Sequence, residues 1–244
     1  MLVHGIPTSP GLWRHVAPLV PGRCYAWEMR GYGHSIPEGQ SADIGLSAQA
    51  DYLLAWLRSR EFTQPPVLVG HDLGGGVAQI AAVRDPGAFS ALVLTNAVCY
   101  DSWPIPRVKA MRALAPALAH LPDVLLYPSF VQLLRQGHDS RERALESIGE
   151  HWAPYVAHGA APALMRQVSA LRTEDTTAIA DRLPDLGLPA AVVWGDADRF
   201  QKADYGERLA ADLGTRFNRI RDGRHFTPED HPEEIAAAIR SVLP

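Results

Sequence analysis

The chain has 244 residues, of which 47% are hydrophobic and 20% charged, and its formal net charge at pH 7 is −4. This length suits one large domain with room for an inserted subdomain, and the slightly acidic balance gives no basis for binding nucleic acid or an anionic membrane surface. The start of the chain lacks the pattern of a signal peptide and no apolar stretch is long enough to span a membrane, so we expect a cytoplasmic protein.

Short apolar runs that end in glycine or turn residues predict buried parallel strands. In chain order, these runs are Leu2–Val3, Cys24–Met29, Val67–Val69, Ala91–Thr95 and Ala190–Trp194. Helical patterns occur at Ser47–Arg60, Gly75–Arg84 and Pro232–Val242. This alternation predicts an α/β fold, with a mostly parallel sheet flanked by helices and a functional site at the carboxyl ends of the strands.

The middle of the chain has a different, all-helical pattern. Amphipathic helices are predicted at Arg107–Leu121, Leu125–Gln136 and Arg141–Tyr155. We therefore predict a core formed by residues 1–99 and 182–244, with a helical cap inserted at residues 100–181. The alternative is a set of ordinary peripheral helices.

The segment Val67–Gln79 carries the most chemical information. An apolar strand runs into Gly70-x-Asp72-x-Gly74 and directly on into a helix of small residues. This is the pattern of a nucleophile elbow, with aspartate in the place of the usual serine. A dinucleotide-binding loop does not fit, because Gln79 stands where the third glycine belongs, and the ending of a P-loop is missing. Close packing of a helix on the sheet is the remaining alternative.

Three further segments fit such an elbow. The turn His4-Gly5-Ile6 follows the first strand, Asp196 and Asp198 follow the last predicted strand, and His225 precedes the final helix. A carboxylate can orient a histidine, and the chain order of nucleophile, acid and base is that of a hydrolase triad. The spacing alone leaves both Asp196 and Asp198 as candidates for the acid.

Taken together, these segments resemble the α/β-hydrolase superfamily. Gly70-His71-Asp72 resembles its aspartate-nucleophile branch, the haloalkane dehalogenases and epoxide hydrolases, and Thr8–Arg14 and Arg30–Ser35 match further family segments. Relative to that family the first two strands are missing, which predicts an uncovered sheet edge or a truncated start.

The resemblance implies a role for each residue of the site. Asp72 would be the nucleophile that forms an alkyl ester, His225 the base that activates water, and Asp198 rather than Asp196 the acid of the triad. Backbone N–H groups of Ile6 and Leu73 would form the oxyanion hole. The substrate would be a small apolar organic molecule that reacts with water, and no cofactor or metal would be required. The oligomeric state stays open.

The two kinds of enzyme in this branch differ in the leaving group and in the residues that stabilise it. Haloalkane dehalogenases hold the halide with a tryptophan after the nucleophile and usually a second N–H donor, whereas this chain has Leu73 and Ile6 at two such positions. Epoxide hydrolases protonate the epoxide with cap tyrosines, and the candidates are Tyr100, Tyr127 and Tyr155. We therefore predict an epoxide hydrolase-like enzyme ahead of a haloalkane dehalogenase with atypical halide ligands. A protein that binds a small molecule without turnover is the alternative outside enzymes.

The two cysteines, Cys24 and Cys99, are predicted to be unbonded. In the strand order usual for this fold their strands lie three positions apart, roughly 14 Å. A disulfide requires Cα atoms within about 7 Å.

Overall fold

A six-stranded parallel sheet forms the centre of the computed structural model, which describes residues 1–243. The strands are β1 (Leu2–Val3), β2 (Ala26–Trp27), β3 (Val67–His71), β4 (Ala91–Thr95), β5 (Ala190–Gly195) and β6 (Phe217–Ile220). Their spatial order is β2-β1-β3-β4-β5-β6, and each neighbouring pair is parallel. The predicted α/β fold is confirmed.

Helices connect and cover the strands. They are α1 (Leu46–Arg58), α2 (Leu73–Arg84), α3 (Pro106–Ala113), α4 (Ala115–Leu118), α5 (Asp123–Gly137), α6 (Arg141–His158), α7 (Ala160–Ser169), α8 (Glu174–Thr177), α9 (Ala203–Asp212), α10 (Thr227–Asp230) and α11 (Pro232–Ser241). Helices α3 to α8 lie between β4 and β5, in the segment expected to form a cap. The prediction of a single helix at 107–121 is wrong, because the helix is interrupted at Leu114 and the segment forms two helices, α3 and α4.

Both faces of the sheet are covered, as the continuous apolar strands require. In β4, Leu92 and Leu94 join the apolar cluster that contains residues of α1 and α2, whereas Val93 joins the cluster that contains residues of α11. The alternation of side chains between the two faces of each strand therefore divides the core into two layers. Because the strands are parallel, the carboxyl ends of β1, β3, β4 and β5 all lie at the same edge of the sheet.

Two further predictions concern a disulfide bond and membrane-spanning segments. Cys24 and Cys99 are free, as predicted, and β2 and β4 are three positions apart in the sheet. Among residues 1–243, no helix has the length and apolar character needed to cross a membrane.

Candidate active site

The turn between β3 and α2 has the geometry of a nucleophile elbow. Asp72 adopts φ 49° and ψ −122°, a conformation that non-glycine residues rarely adopt. A Cβ atom at Gly70 would strike the backbone of Gly74 and Gly75, and one at Gly74 would strike the carbonyl groups of Val3 and His4. Glycine is needed at both positions, so that the strained turn can present Asp72 at the end of the strand.

The two carboxylate oxygens of Asp72 have different surroundings. The backbone N–H of Ile6 donates to Oδ2 at 2.9 Å, and the N–H of Leu73 also donates to this carboxylate. Oδ1 lies 3.9 Å from Nε2 of His225. Burial raises the pKa of Asp72 above its ordinary value, although His225 and the two N–H groups act in the opposite direction. Oδ2 thus accepts from the N–H of Ile6, and Oδ1 faces the histidine.

His225 is buried and held on its far side by a carboxylate. Its Nδ1 donates to Oδ2 of Asp198 at 2.8 Å, which leaves Nε2 directed toward Asp72. Burial alone would lower the pKa of His225, but the charge and the hydrogen bond of Asp198, helped by Asp72, outweigh it and the pKa is raised. The ring also contacts Phe200 and His71, with centroids 5.1 and 4.7 Å away.

Of the two acids after β5, Asp198 lies next to the histidine. Asp196 instead accepts a hydrogen bond from the N–H of Asp222 at 2.7 Å and pairs with Arg219 at 3.6 Å. Besides His225, Asp198 accepts from the backbone N–H of Phe200 at 2.7 Å. The arrangement Asp72, His225 and Asp198 has the order and the contacts of a catalytic triad.

Asn96 is part of this arrangement and was not predicted from the sequence. It follows β4 with φ 41°, and its side-chain Nδ2 donates to Oδ2 of Asp198 at 2.7 Å. Its Oδ1 accepts from the N–H of Gly195 at 3.2 Å and from Thr227 at 3.0 Å. The available signal was a polar residue directly after a buried strand, at the sheet edge where sites form.

A cavity of about 310 Å³ opens beside Asp72 and His225. Its wall is mainly apolar, formed by residues of the core loops and of α3, α5 and α7; examples are Val98, Trp103, Met111, Leu126, Phe130 and Met165. Such a cavity suits a small apolar molecule.

The three tyrosines predicted as acids do not line this cavity. The hydroxyl of Tyr100 donates to Asp212 at 2.6 Å, and that of Tyr155 donates to Gln167 at 2.8 Å. Tyr127 is 40% exposed and packs on Trp152. Each tyrosine is an amphipathic packing residue, and the structure does not bring any of them to Asp72.

A second buried polar group, which we call the Glu229 cluster, lies on the segment that follows His225. Glu229 pairs with Arg14, accepts a hydrogen bond from Ser147 at 2.7 Å, and lies 3.3 Å from Nε2 of both His151 and His138. Burial would raise the pKa of Glu229, but these partners hold it well below its ordinary value. The cluster connects helix α6 and the end of α5 to the segment that carries His225.

The fold and the site together define a class. Residues 1–232 match the α/β hydrolase fold family, and the chain belongs to that family.

The chain is similar to characterised and uncharacterised members alike. A haloalkane dehalogenase of Mesorhizobium japonicum is 26% identical, covering 100% of this chain and 84% of that protein. A monoacylglycerol lipase of Mycolicibacterium smegmatis is 28% identical, covering 87% and 74%. Among solved structures, an α/β hydrolase fold protein from Burkholderia ambifaria has a TM-score of 0.86 and 27% identity, covering 98% and 88%. The relatives named here include enzymes that act on chemically different bonds.

Proposed function

We propose that this α/β hydrolase forms an alkyl ester on Asp72, which water activated by His225 then hydrolyses. The observation that carries the proposal is the position of the Asp72 carboxylate, with Oδ2 bound by the N–H of Ile6 and Oδ1 free to attack. A carboxylate in this position can displace a leaving group from an sp³ carbon.

In the first step, a lone pair of Oδ1 forms the C–O bond while the carbon–leaving-group bond breaks, and the leaving group takes both electrons. Burial of Asp72 removes the water that would otherwise solvate its charge, so the carboxylate is a stronger nucleophile than it would be in solution. Throughout this step Oδ2 keeps its hydrogen bond from the N–H of Ile6.

In the second step, His225 removes a proton from water and the resulting hydroxide adds to Cγ of the ester. The negative charge develops on Oδ2, which already accepts a hydrogen bond from the N–H of Ile6, so this donor needs no rearrangement to stabilise it. The tetrahedral intermediate then releases the alcohol, which takes the proton from His225. The 3.9 Å between Nε2 and Oδ1 exceeds a hydrogen bond, and this histidine therefore acts on water rather than on the nucleophile.

The leaving group separates an epoxide hydrolase from a haloalkane dehalogenase. An epoxide oxygen leaves as an alkoxide and needs a proton, whereas a halide leaves as a stable anion and needs only hydrogen-bond donors. The preference for an epoxide depended on cap tyrosines, which do not reach the cavity, and on the aliphatic Leu73 and Ile6, which lack the side-chain donors that bind a halide. Epoxides and alkyl halides are therefore the two substrate classes to compare, and relatives named for each reaction match 100% of this chain.

The test is mass spectrometry of a His225→Gln variant incubated with 1-bromoalkanes and with terminal epoxides. Alkylation needs only the carboxylate, so the variant should retain the alkyl group on residues 61–84, the tryptic peptide that contains Asp72. His34→Gln, at an exposed histidine, is the matched control and should turn over without an adduct.

Three other results would contradict the proposal. An adduct on another peptide or undiminished turnover by His225→Gln would exclude the assigned roles. Saturable binding with no adduct from any substrate would favour a binding protein without turnover.

A further inference from the structure

The residue before the nucleophile is a buried histidine that the proposed mechanism has not used. His71 ends β3, and its side chain is 0% exposed. Its Nε2 lies 2.9 Å from the backbone carbonyl oxygen of His225, which is 154 positions further along the chain. Because a carbonyl oxygen can only accept a hydrogen bond, Nε2 carries the proton and donates it. A side chain next to the nucleophile is thus bonded to the backbone of the base.

The surroundings of His71 keep its ring neutral. Its Nδ1 is buried and has no hydrogen-bond partner in residues 1–243, and the centroid of its ring lies 4.7 Å from that of His225. Burial lowers the pKa of His71 well below its ordinary value, and the positive charge of protonated His225 lowers it further. His71 therefore stays neutral while His225 takes up and releases a proton, and its Nε2–H remains a donor throughout.

The carbonyl group that His71 binds belongs to a tight turn. The N–H of Thr227 donates to the same carbonyl oxygen at 2.8 Å, and Phe226 between the two residues has φ −83° and ψ 51°. These are the features of an inverse γ-turn. The N–H groups of His225 and Phe226 both donate to the carbonyl oxygen of Gly137, at 2.9 and 3.0 Å, which ties the turn to the end of α5. The hydrogen bond from His71 ties it to β3, the strand that leads to the nucleophile.

Asp198 and His71 constrain different parts of His225. The carboxylate of Asp198 fixes the direction of the ring, because it accepts from Nδ1 at 2.8 Å. The distance between the ring and the nucleophile also depends on the position of the His225 backbone, and His71 binds that backbone. A single peptide bond joins His71 to Asp72, so the base is located from the segment that carries the nucleophile. A misplacement of about 1 Å at a reacting group can lower a rate about 100-fold.

Resting on the function proposed above, we propose that His71 is a positioning residue, which sets the distance between His225 and the ester on Asp72 through its hydrogen bond to the His225 carbonyl. It exchanges no proton. In ester hydrolysis Nε2 of His225 takes a proton from water and the hydroxide adds to Cγ of Asp72, while Nε2 of His71 keeps its own proton. Alkylation should not depend on His71, because the carboxylate acts there without the base.

Two substitutions at His71 separate the hydrogen bond from the volume of the side chain. Glutamine places an amide nitrogen where Nε2 of the imidazole lies, whereas methionine has a similar length and no donor. In rapid-quench experiments with 1-bromohexane and with 1,2-epoxyhexane, His71→Met should alkylate Asp72 at close to the wild-type rate and hydrolyse the ester roughly 10- to 100-fold more slowly. His71→Gln should restore most of the hydrolysis rate. Wild-type hydrolysis by His71→Met, or an equal loss in both steps, would overturn the proposal.

A control variant separates positioning from a general loss of stability. Gln49 is also 0% exposed, and its Nε2 donates to the carbonyl oxygen of Arg30 at 2.7 Å, outside the cavity wall. Gln49→Met should lower Tm and leave ester hydrolysis unchanged; slower hydrolysis in this variant would assign the effect to stability and overturn the proposal. If His71→Met does not fold, His71→Asn takes its place, since an asparagine amide is too short to reach the carbonyl and should hydrolyse the ester as slowly.

A proton resonance tests the positioning without any substrate. The proton between Nδ1 of His225 and Asp198 should resonate downfield of the amide protons, and its loss in His225→Gln assigns it. His71→Met should shift or abolish this resonance, and His71→Gln should retain it. That result supports the role of His71 even if no ester forms on Asp72 and the proposed function is wrong. An unchanged resonance in His71→Met would overturn the inference and leave the ester mechanism standing.

Discussion

Replacing Asp198 with asparagine removes one hydrogen-bond acceptor from a carboxylate that receives three N–H groups. Oδ2 accepts from His225 and Asn96, and Oδ1 accepts from the backbone of Phe200. The asparagine side chain has a single acceptor oxygen. If that oxygen accepts from His225 and Asn96, the NH₂ group of the asparagine must face the N–H of Phe200, and two donors then meet. We expect Asp198→Asn to lose about 1–3 kcal/mol of stability for each buried donor left unpaired.

The catalytic consequence is larger than the structural one. Without the carboxylate, His225 loses the partner that orients its ring and raises its pKa. The corresponding change in a serine protease triad lowers kcat roughly 10⁴-fold. In the proposed mechanism only hydrolysis of the ester needs His225, so alkylation of Asp72 should proceed and the alkyl-enzyme should accumulate.

Rapid quenching followed by mass spectrometry measures both steps in one experiment. Asp198→Asn should show a burst of alkylation close to that of the wild type, followed by slow release of alcohol. Asp196→Asn is the matched control on the same loop, and it should retain turnover because Asp196 contacts Asp222 and Arg219 instead. The reasoning is refuted if Asp196→Asn abolishes turnover, or if Asp198→Asn slows alkylation as much as hydrolysis.

Two further predictions concern pH. Because the pKa of His225 is raised, the wild type should accumulate alkylated Asp72 as the pH falls, with a midpoint above the ordinary histidine value of about 6.5. A constant adduct level would argue against His225 as the base. For His138, burial alone would lower the pKa, but the hydrogen bond to Asp230 and the nearby carboxylate of Glu229 raise it to about 9. Its stabilising effect is complete below the unfolded value of about 6.5 and is lost as the pH rises through about 9, so Tm should fall over this range, and His138→Gln should flatten the dependence.

The strands predicted most accurately from the sequence are the inner ones, which are buried on both faces, whereas at the edge strand β2 only Ala26–Trp27 of the predicted Cys24–Met29 forms the strand and Ala26 is exposed. Ala91–Thr95 is apolar throughout because both of its faces are covered, and the prediction matches β4 residue for residue. In contrast, β6 was missed because it lies at the edge of the sheet, where Asn218 and Arg219 are exposed and interrupt the apolar pattern. Helix α9 was missed too, since its sequence mixes charged and small residues.

Site residues differ in the same way. Asp72 and its flanking glycines could be recognised because the strained turn imposes a local sequence pattern. Asn96 contacts Asp198, which lies 102 positions further along the chain, and a local sequence pattern cannot predict such a contact. The tyrosines illustrate the opposite error, because the direction of a side chain on an amphipathic helix depends on which neighbouring helix it packs against. Tyr155 turns toward Gln167 of α7, which the sequence analysis had not identified as a helix.

The Glu229 cluster has a consequence for how substrate enters. Moving α5 and α6 away from the core would separate Glu229 from its partners, which would leave its buried charge unpaired or bring water into contact with it. Breaking a buried ion pair in this way costs about 3–5 kcal/mol. Helix α3 has no such restraint, because each of its residues is exposed or half-buried, and Arg107, Val108 and Met111 line the cavity. The helical segment is therefore held to the core most strongly beside the loop that carries His225, and most weakly at α3. We expect substrate to enter beside α3, because separating that helix from the core breaks no contact of the Glu229 cluster.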